Sequence, residues 1–276
     1  MDLSIDSAIT LNSGITMPSF GLGTYKSAPG AEVEHSVEFA LRHGYRALDT
    51  ASMYGNEEGV GEGIARSGLD RSDVFVTTKV WNDEQGYDET LAALDRSLSR
   101  LGTDYVDLYL VHWPMREHME GTWRAMEELL AAGRTRAIGV CNHLRPHLEA
   151  LLAIAEVPPA VDQVEFHPWL QQPELQTYLA ANNIALECWA PVMRGHAPEV
   201  DALVAAGAAH GKSPEQVAIR WSLQKGNIVI PKSVHDARIL QNADVFDFEL
   251  TAQQMAEIDE ADRGHRFGPD PHRYAW

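Results

Sequence analysis

Along the chain, short apolar runs alternate with longer stretches in which apolar residues recur every three to four positions. The runs have strand length and fall near 19–22, 46–49, 74–78, 106–111, 136–140, 160–165, 185–189 and 228–230. Between them lie helical intervals such as AEVEHSVEFALRHG, ending at Gly44, and YDETLAALDRSLSRLG, ending at Gly102, with each glycine placed as a C-cap. Ahead of the alternation, residues 8–18 read as two short strands about Asn12-Ser13-Gly14, a hairpin signal. The last stretch, 263–276, carries too much Gly and Pro for a helix and is expected to drape as a tail over one end of the fold.

Eight strand signals alternating with helical intervals predict an α/β fold, a (β/α)8 TIM barrel with an N-terminal β-hairpin and a C-terminal tail over the active-site face. The competing architecture is an open doubly wound sheet, whose mark is a glycine-rich turn between the first strand and first helix. GLGTYK (21–26) has only Gly21 and Gly23, while GVGEGI (59–64) follows a helix-like start and reads as close helix packing. With no internal repeat, low-complexity block or linker, residues 1–276 read as a single domain.

Parallel barrels build their sites from the C-terminal ends of the strands. Asp49, Lys79 and His112 follow the second, third and fourth barrel strands, so all three project onto one face, and Tyr54 rides on the loop beyond Asp49. A buried carboxylate requires a cation or hydrogen-bond donors beside it, and Lys79 is the candidate partner of Asp49. A tyrosine hydroxyl has a pKa of about 10 and is a weak acid at neutral pH, but a neighbouring ammonium lowers it. Lys79 would thus tune Tyr54 as a proton donor, Asp49 would hold Lys79, and His112 would bond the same substrate oxygen. The set suits carbonyl reduction, and since none of the four carries a hydride, a nicotinamide must supply it. Taken singly, Tyr54 reads as a packing residue, Lys79 as solvated, Asp49 as a helix cap and His112 as a satisfied barrel histidine. Together at successive strand ends they read as a site.

Composition narrows the classes. A hydrophobic content of 45% suffices for a large core. The net charge of -18 argues against a nucleic-acid partner, which would demand phosphate neutralisation. No run approaches the roughly 20 apolar residues of a membrane span, and MDLSIDSAIT lacks the features of a secretory signal, so a cytoplasmic location is expected. Cys141 and Cys188 are too few for a disulfide framework and lack metal-like spacing, so reduced thiols and no metal are expected. His143 and His147 are spaced i,i+4, but Pro146 lies between them, and a capped helix start is the better reading. His265 and His272 fall in the irregular tail and are expected in solvent. Five lysines against seventeen arginines, with the acid excess, fit either an ordinary acidic enzyme or a salt-rich habitat, which stability in multimolar KCl would separate.

The stretches ALDTASMYGNEEGVG, FVTTKVWN, DLYLVHWP, AIGVCNH, VDQVEFHP and VIPKSVHDARILQN, in this order, resemble the aldo-keto reductase family, in particular its short prokaryotic branch of diketo-gluconate and methylglyoxal reductases. The resemblance covers nearly the whole chain. It implies Tyr54 as proton donor, Lys79 and Asp49 as its tuning pair, His112 as the group orienting the carbonyl, and NADPH extended across the barrel mouth. It places Gly23, Thr24, Tyr25 and Asp49 beside the cofactor, maps Asn142 and Gln163 to the nicotinamide carboxamide, and sets Trp189 beneath the ring. The segment IPKSVHDAR follows the last strand, where barrels bind phosphate with loop amides and a helix N-terminus. There Lys232, Ser233 and Arg238 would grip a ribose 2'-phosphate, with Val234, Gln241 and Asn242 alongside. Two departures stand out: Cys141 occupies a place the family usually gives to Ser, and Gln241 one it gives to an acid. Tyr25, Trp81, His112 and Trp113 would rim a substrate pocket, with Phe267 and Trp276 reaching in from the tail. The segments MREHMEG and VMRGHAPEV are short, which implies an open pocket for small aldehydes, α-dicarbonyls or keto-sugars. The chain is expected to work as a monomer on a small-molecule carbonyl. The rival classes are a nucleotide-binding regulatory subunit, disfavoured by the intact four residues and by the lack of an extended N-terminal arm, and a metal-dependent hydrolase, disfavoured by the want of a His and Asp cluster.

Overall fold

The computed structural model describes residues 3–273. Strands β1 (Ala8–Thr10) and β2 (Thr16–Pro18) pair antiparallel, with the turn closed by the N–H of Gly14 donating to the carbonyl of Leu11. The hairpin carries Leu11 and Met17 into an apolar cluster with Ala47, Phe75, Leu108, Ala137, Val161 and Ile228. These residues lie at or near the beginnings of the barrel strands, so the hairpin plugs the N-terminal end and leaves the opposite end for chemistry.

Eight strands follow in one parallel sheet: β3 (Leu22–Gly23), β4 (Ala47–Asp49), β5 (Phe75–Val80), β6 (Val106–Val111), β7 (Thr135–Cys141), β8 (Val161–Glu165), β9 (Ala185–Trp189) and β10 (Ile228–Val229). Parallel bridges Phe20↔Val229 and Gly23↔Lys232 join the two edges and close the barrel. All eight sequence-derived strands are present within a few residues of their expected places. Every residue of β5 and β6 is buried, because one face packs inside the barrel and the other against helices, which is why these strands appear as continuous runs and not as alternation.

The helix Ala31–Arg42 ends just before Gly44, which has φ 95°, and Tyr87–Leu101 ends on Gly102 with φ 65°. GVGEGI lies within the helix Glu57–Ser67 and does pack closely: a Cβ at Gly63 would sit 2.7 Å from Val37 Cβ, and one at Gly61 would collide with the carbonyl of Leu101. The helix Arg145–Leu152 starts as expected, the N–H of Leu144 donating to His147 Nδ1 at 2.9 Å, although Pro146 sits inside its first turn and does not interrupt it. Residues 263–270 form no helix and cross the C-terminal mouth of the barrel, with a short 3₁₀ turn at Pro271–Arg273. Trp276 lies outside the described residues. Among those described, no helix is long and apolar enough to cross a membrane, and no His, Cys, Asp and Glu group is arranged to hold a metal.

Candidate active site

Asp49 ends β4, and its side chain is 3% exposed. The cation it requires is Lys79, one residue before the end of β5 and 0% exposed, whose Nζ donates to both carboxylate oxygens at 2.7 Å. The same ammonium donates to the Thr50 carbonyl at 2.9 Å and reaches the Tyr54 hydroxyl at 3.3 Å. Tyr54 arrives on the 3₁₀ turn Ser52–Tyr54 after β4, and Gly55, with φ 67°, terminates that turn. His112 follows β6 and sets its ring edge-on to Tyr54, centroids 5.7 Å apart, and to Trp81 at 4.9 Å. The four side chains expected to meet do meet.

Their proton affinities follow from burial and from each other. Burial pushes the Lys79 ammonium towards losing its proton, but Asp49, then Tyr54, act the other way and the net shift is upward, so the ammonium keeps its proton. Burial, and then the Lys79 charge, hold His112 well below the usual imidazole range, so it is neutral at pH 7. Tyr54 departs from expectation. Burial raises its pKa and outweighs the lowering by Lys79, so the phenol is a weaker acid than in water, not a stronger one. Proximity of the ammonium was legible in the sequence, whereas the burial that outweighs it was not.

Asp49, Tyr54 and His112, with Lys79 buried behind them, line a cavity of about 520 Å³ whose wall also includes Gly23, Tyr25, Trp113, Cys141, Asn142, Gln163, Trp189 and Lys232. Tyr25 is 42% exposed and lies against Tyr54, ring centroids 5.0 Å apart, placing it at the rim. Asn142 adopts φ 60°, a left-handed backbone that Asn tolerates. Its amide is held on three sides, donating to the His112 carbonyl at 3.0 Å and to Cys141 Sγ at 3.2 Å, and accepting from Trp189 Nε1 at 2.9 Å. Gln163 Nε2 donates to Asp49 Oδ2 at 2.7 Å and to Glu187 Oε2 at 2.8 Å, while Cys141 Sγ donates to its carbonyl oxygen at 3.6 Å. Thr24 is not part of the wall; its hydroxyl bonds the Asp49 carbonyl at 2.9 Å and supports the strand end.

The remaining expected residues follow β10 in the chain, and of them Lys232 alone is among those lining this cavity. Lys232 lies on its wall, with Nζ 3.4 Å from the Lys26 carbonyl, and burial lowers its pKa. Ser233 accepts the N–H of His235 at 3.1 Å, and Arg238 and Gln241 are exposed on the helix Asp236–Ala243, on which Asn242 is buried. Val234 is half-buried between them.

Several contributors to the wall or its support escaped sequence reasoning, Ala190, Pro191, Val192 and Ile230 among them. Met53 and Lys26 line the cavity, flanking recognised residues in the chain. Glu165 accepts the N–H groups of Phe267 at 2.6 Å and Gly268 at 3.1 Å, and Arg194 donates to the Phe267 carbonyl at 3.0 Å. The tail is thereby seated so closely that a Cβ on Gly268 would lie 2.5 Å from Trp189 Cη2, and Pro269 joins the cavity wall. Phe267 packs on His167, Trp169 and His196 beside the mouth and is not among the lining residues, a correction to its expected insertion. His265 and His272 are exposed, as expected.

A closed parallel barrel with such a set at its C-terminal mouth defines the class, and sequence comparison agrees: residues 19–263 match the model of the aldo/keto reductase family. The chain belongs to this family of oxidoreductases. It is 49% identical over 271 residues to glyoxal reductase of Bacillus subtilis, covering 98% of each chain. Among solved structures it resembles an aldo/keto reductase from Brucella melitensis, with TM-score 0.89 and 44% identity over 93% of this chain and 99% of that one. It also resembles a Gox0644 mutant solved in complex with NADPH, with TM-score 0.93 and 42% identity over 97% and 98%.

Proposed function

We propose that this protein reduces small aldehydes and ketones, α-dicarbonyls and keto-sugars included, with NADPH as hydride source. The observation that carries the reading is the Lys79 ammonium lying between Asp49, at 2.7 Å, and the Tyr54 hydroxyl, at 3.3 Å, behind the wall of a cavity that Asp49, Tyr54 and neutral His112 line. Tyr54 keeps its proton throughout the neutral range and donates it to the carbonyl oxygen as that oxygen gains charge. Lys79 then stabilises the phenolate left behind, and Asp49 holds Lys79 in register. Neutral His112 offers one N–H to orient the same oxygen.

The donor set fits a nicotinamide dinucleotide: amides of Asn142 and Gln163 and the face of Trp189 at one end, and Lys232, Ser233 and Arg238 at the other, with Gly23, Thr24 and Tyr25 between and Val234, Gln241 and Asn242 flanking. When bound, that cofactor supplies the hydride. Similarity to the Bacillus subtilis glyoxal reductase supports small α-dicarbonyls as substrates, and Tyr25, Trp81 and Trp113 would form their apolar rim. The same reading takes residues 1–276 as one domain acting as a monomer in the cytoplasm.

The test follows NADPH absorbance across a carbonyl panel with wild type and Tyr54→Phe. General acid catalysis alone contributes roughly 10²- to 10⁴-fold, so kcat of the variant should fall by at least that much. Retained turnover would remove Tyr54 from its role. In the same assay Arg238→Ala should raise KM for NADPH far more than for NADH, and equal effects would reject a 2'-phosphate contact.

A further inference from the structure

Two residues before Trp189, and therefore on the same face of β9, Glu187 points into the barrel one layer below the cavity. It is 1% exposed and meets one donor, Gln163 Nε2, at 2.8 Å; its Oε1 has no hydrogen-bond partner among the described residues. The nearest ammonium, that of Lys79, is directed to Asp49, Thr50 and Tyr54. An ionised carboxylate in this position would bear its full desolvation cost against a single neutral hydrogen bond.

We propose that Glu187 is a positioning residue that works as a neutral acid: it shares the Gln163 amide with Asp49, and release of its proton to solvent slows carbonyl reduction on the alkaline side. The inference rests on the reading of Tyr54 as proton donor. One amide nitrogen has two hydrogens, and here each is committed to a carboxyl group, so the Gln163 carbonyl oxygen is turned towards Cys141 and the cavity wall. With Glu187 neutral, the ion pair set against the Tyr54 hydroxyl is that of Asp49 and Lys79. With Glu187 ionised, a second negative charge sits across Gln163 from Asp49 and opposes formation of the Tyr54 phenolate, an effect on the order of tenfold in rate at this range.

The groups facing Glu187 are Asp49 from β4, Lys79 from β5, Cys141 from β7 and Gln163 from β8, while β10 presents Ile228 and Cys188, next in the strand, points the other way to Ser222. Burial raises the Glu187 pKa to about 8, Asp49 acts in the same sense, and the Gln163 bond and Lys79 oppose them. Burial also pushes Tyr54, Cys141 and Cys188 upward, away from neutrality, and His112 downward. Asp162 on β8, also fully buried, is likewise raised well above the usual carboxylate range, so the Glu187→Gln comparison is what assigns a limb just above neutrality to Glu187.

Two measurements test this. In the cofactor-free protein, the infrared C=O stretch of a protonated carboxyl should appear in the difference between wild type and Glu187→Gln at pH 6.5 and vanish by pH 9.5. In turnover at saturating NADPH, wild type should lose about tenfold in kcat through an apparent pKa near 8, while Glu187→Gln shows no such limb and from pH 6.5 to 9 stays within about threefold of the rate wild type has at pH 6.5. An unchanged alkaline limb in Glu187→Gln, or no such band at pH 6.5, overturns the proposal. Should the variant not fold, the band is titrated in Asp162→Asn, which removes the other buried acid raised out of the usual carboxylate range, and its absence there at pH 6.5 overturns the proposal. Because it is read without cofactor or carbonyl, it can fail or succeed independently of the Tyr54→Phe test.

Discussion

Lys79→Met would separate what the buried ammonium does for stability from what it does for chemistry. The substitution keeps the length of the side chain but removes four contacts: two to Asp49 at 2.7 Å, one to the Thr50 carbonyl at 2.9 Å and one to Tyr54 at 3.3 Å. Asp49, 3% exposed, keeps only the Gln163 amide. Breaking a buried pair from one side costs about 3–5 kcal/mol because a charge is left uncompensated. For a chain of this size that corresponds to a fall in Tm of roughly 10 °C. Replacing both partners, as in Lys79→Met with Asp49→Leu, removes the stranded charge and should recover about half of the loss. Urea denaturation of wild type, the two single variants and the double variant gives the coupling energy directly, expected at about 2 kcal/mol or more. NADPH turnover of the double variant should stay as low as that of Lys79→Met despite the regained stability. A loss under about 1 kcal/mol for Lys79→Met, the size of an exposed ion pair, or strict additivity of the two substitutions, would refute the account of Asp49 given above.

Gly61→Ala sets helix propensity against packing. Ala is favoured over Gly by about 1 kcal/mol in a helix interior, yet here its Cβ would collide with the Leu101 carbonyl. Net destabilisation of roughly 1–3 kcal/mol is expected, and a stabilised variant by thermal denaturation would contradict the close approach of the two helices. Burial lowers His143 to about 3, so the unfolded chain binds its proton first and the contribution of this group, complete above pH 6.5, is lost as pH falls towards 3. The stability difference between wild type and His143→Gln should change by up to about 1.4 kcal/mol per pH unit between pH 6 and 4, and parallel curves would show that His143 is not neutral in the fold.

The barrel was legible because each strand is an apolar run of strand length, and in three of them the polar residue that closes the run, Asp49, Lys79 or His112, could be aligned with the others. GVGEGI could be placed because glycines at alternate positions in a helical context mean contact between backbones. Glu187 escaped because a lone acid within a strand, ALECW, looks like an edge position until the partner strand brings Gln163 opposite it in register. Glu165 and Arg194 escaped for a different reason: they bind main-chain atoms of the tail, and nothing in a sequence marks a backbone N–H as a ligand. The acidity of Tyr54 was misjudged because sequence shows which charges approach a hydroxyl but not how completely water is excluded from it.

The way the tail is fastened has a consequence for diversification. Glu165 and Arg194 hold Phe267 and Gly268 through main-chain atoms, and the N–H groups of Arg263 and His265 donate to the carbonyl of Trp169. Such fasteners are blind to the side chains they carry, Gly268 excepted. Substitutions along 263–270 can therefore reshape one border of the cavity while the reacting groups at the strand ends stay untouched, so that preference for one carbonyl compound over another can drift without passing through an inactive protein.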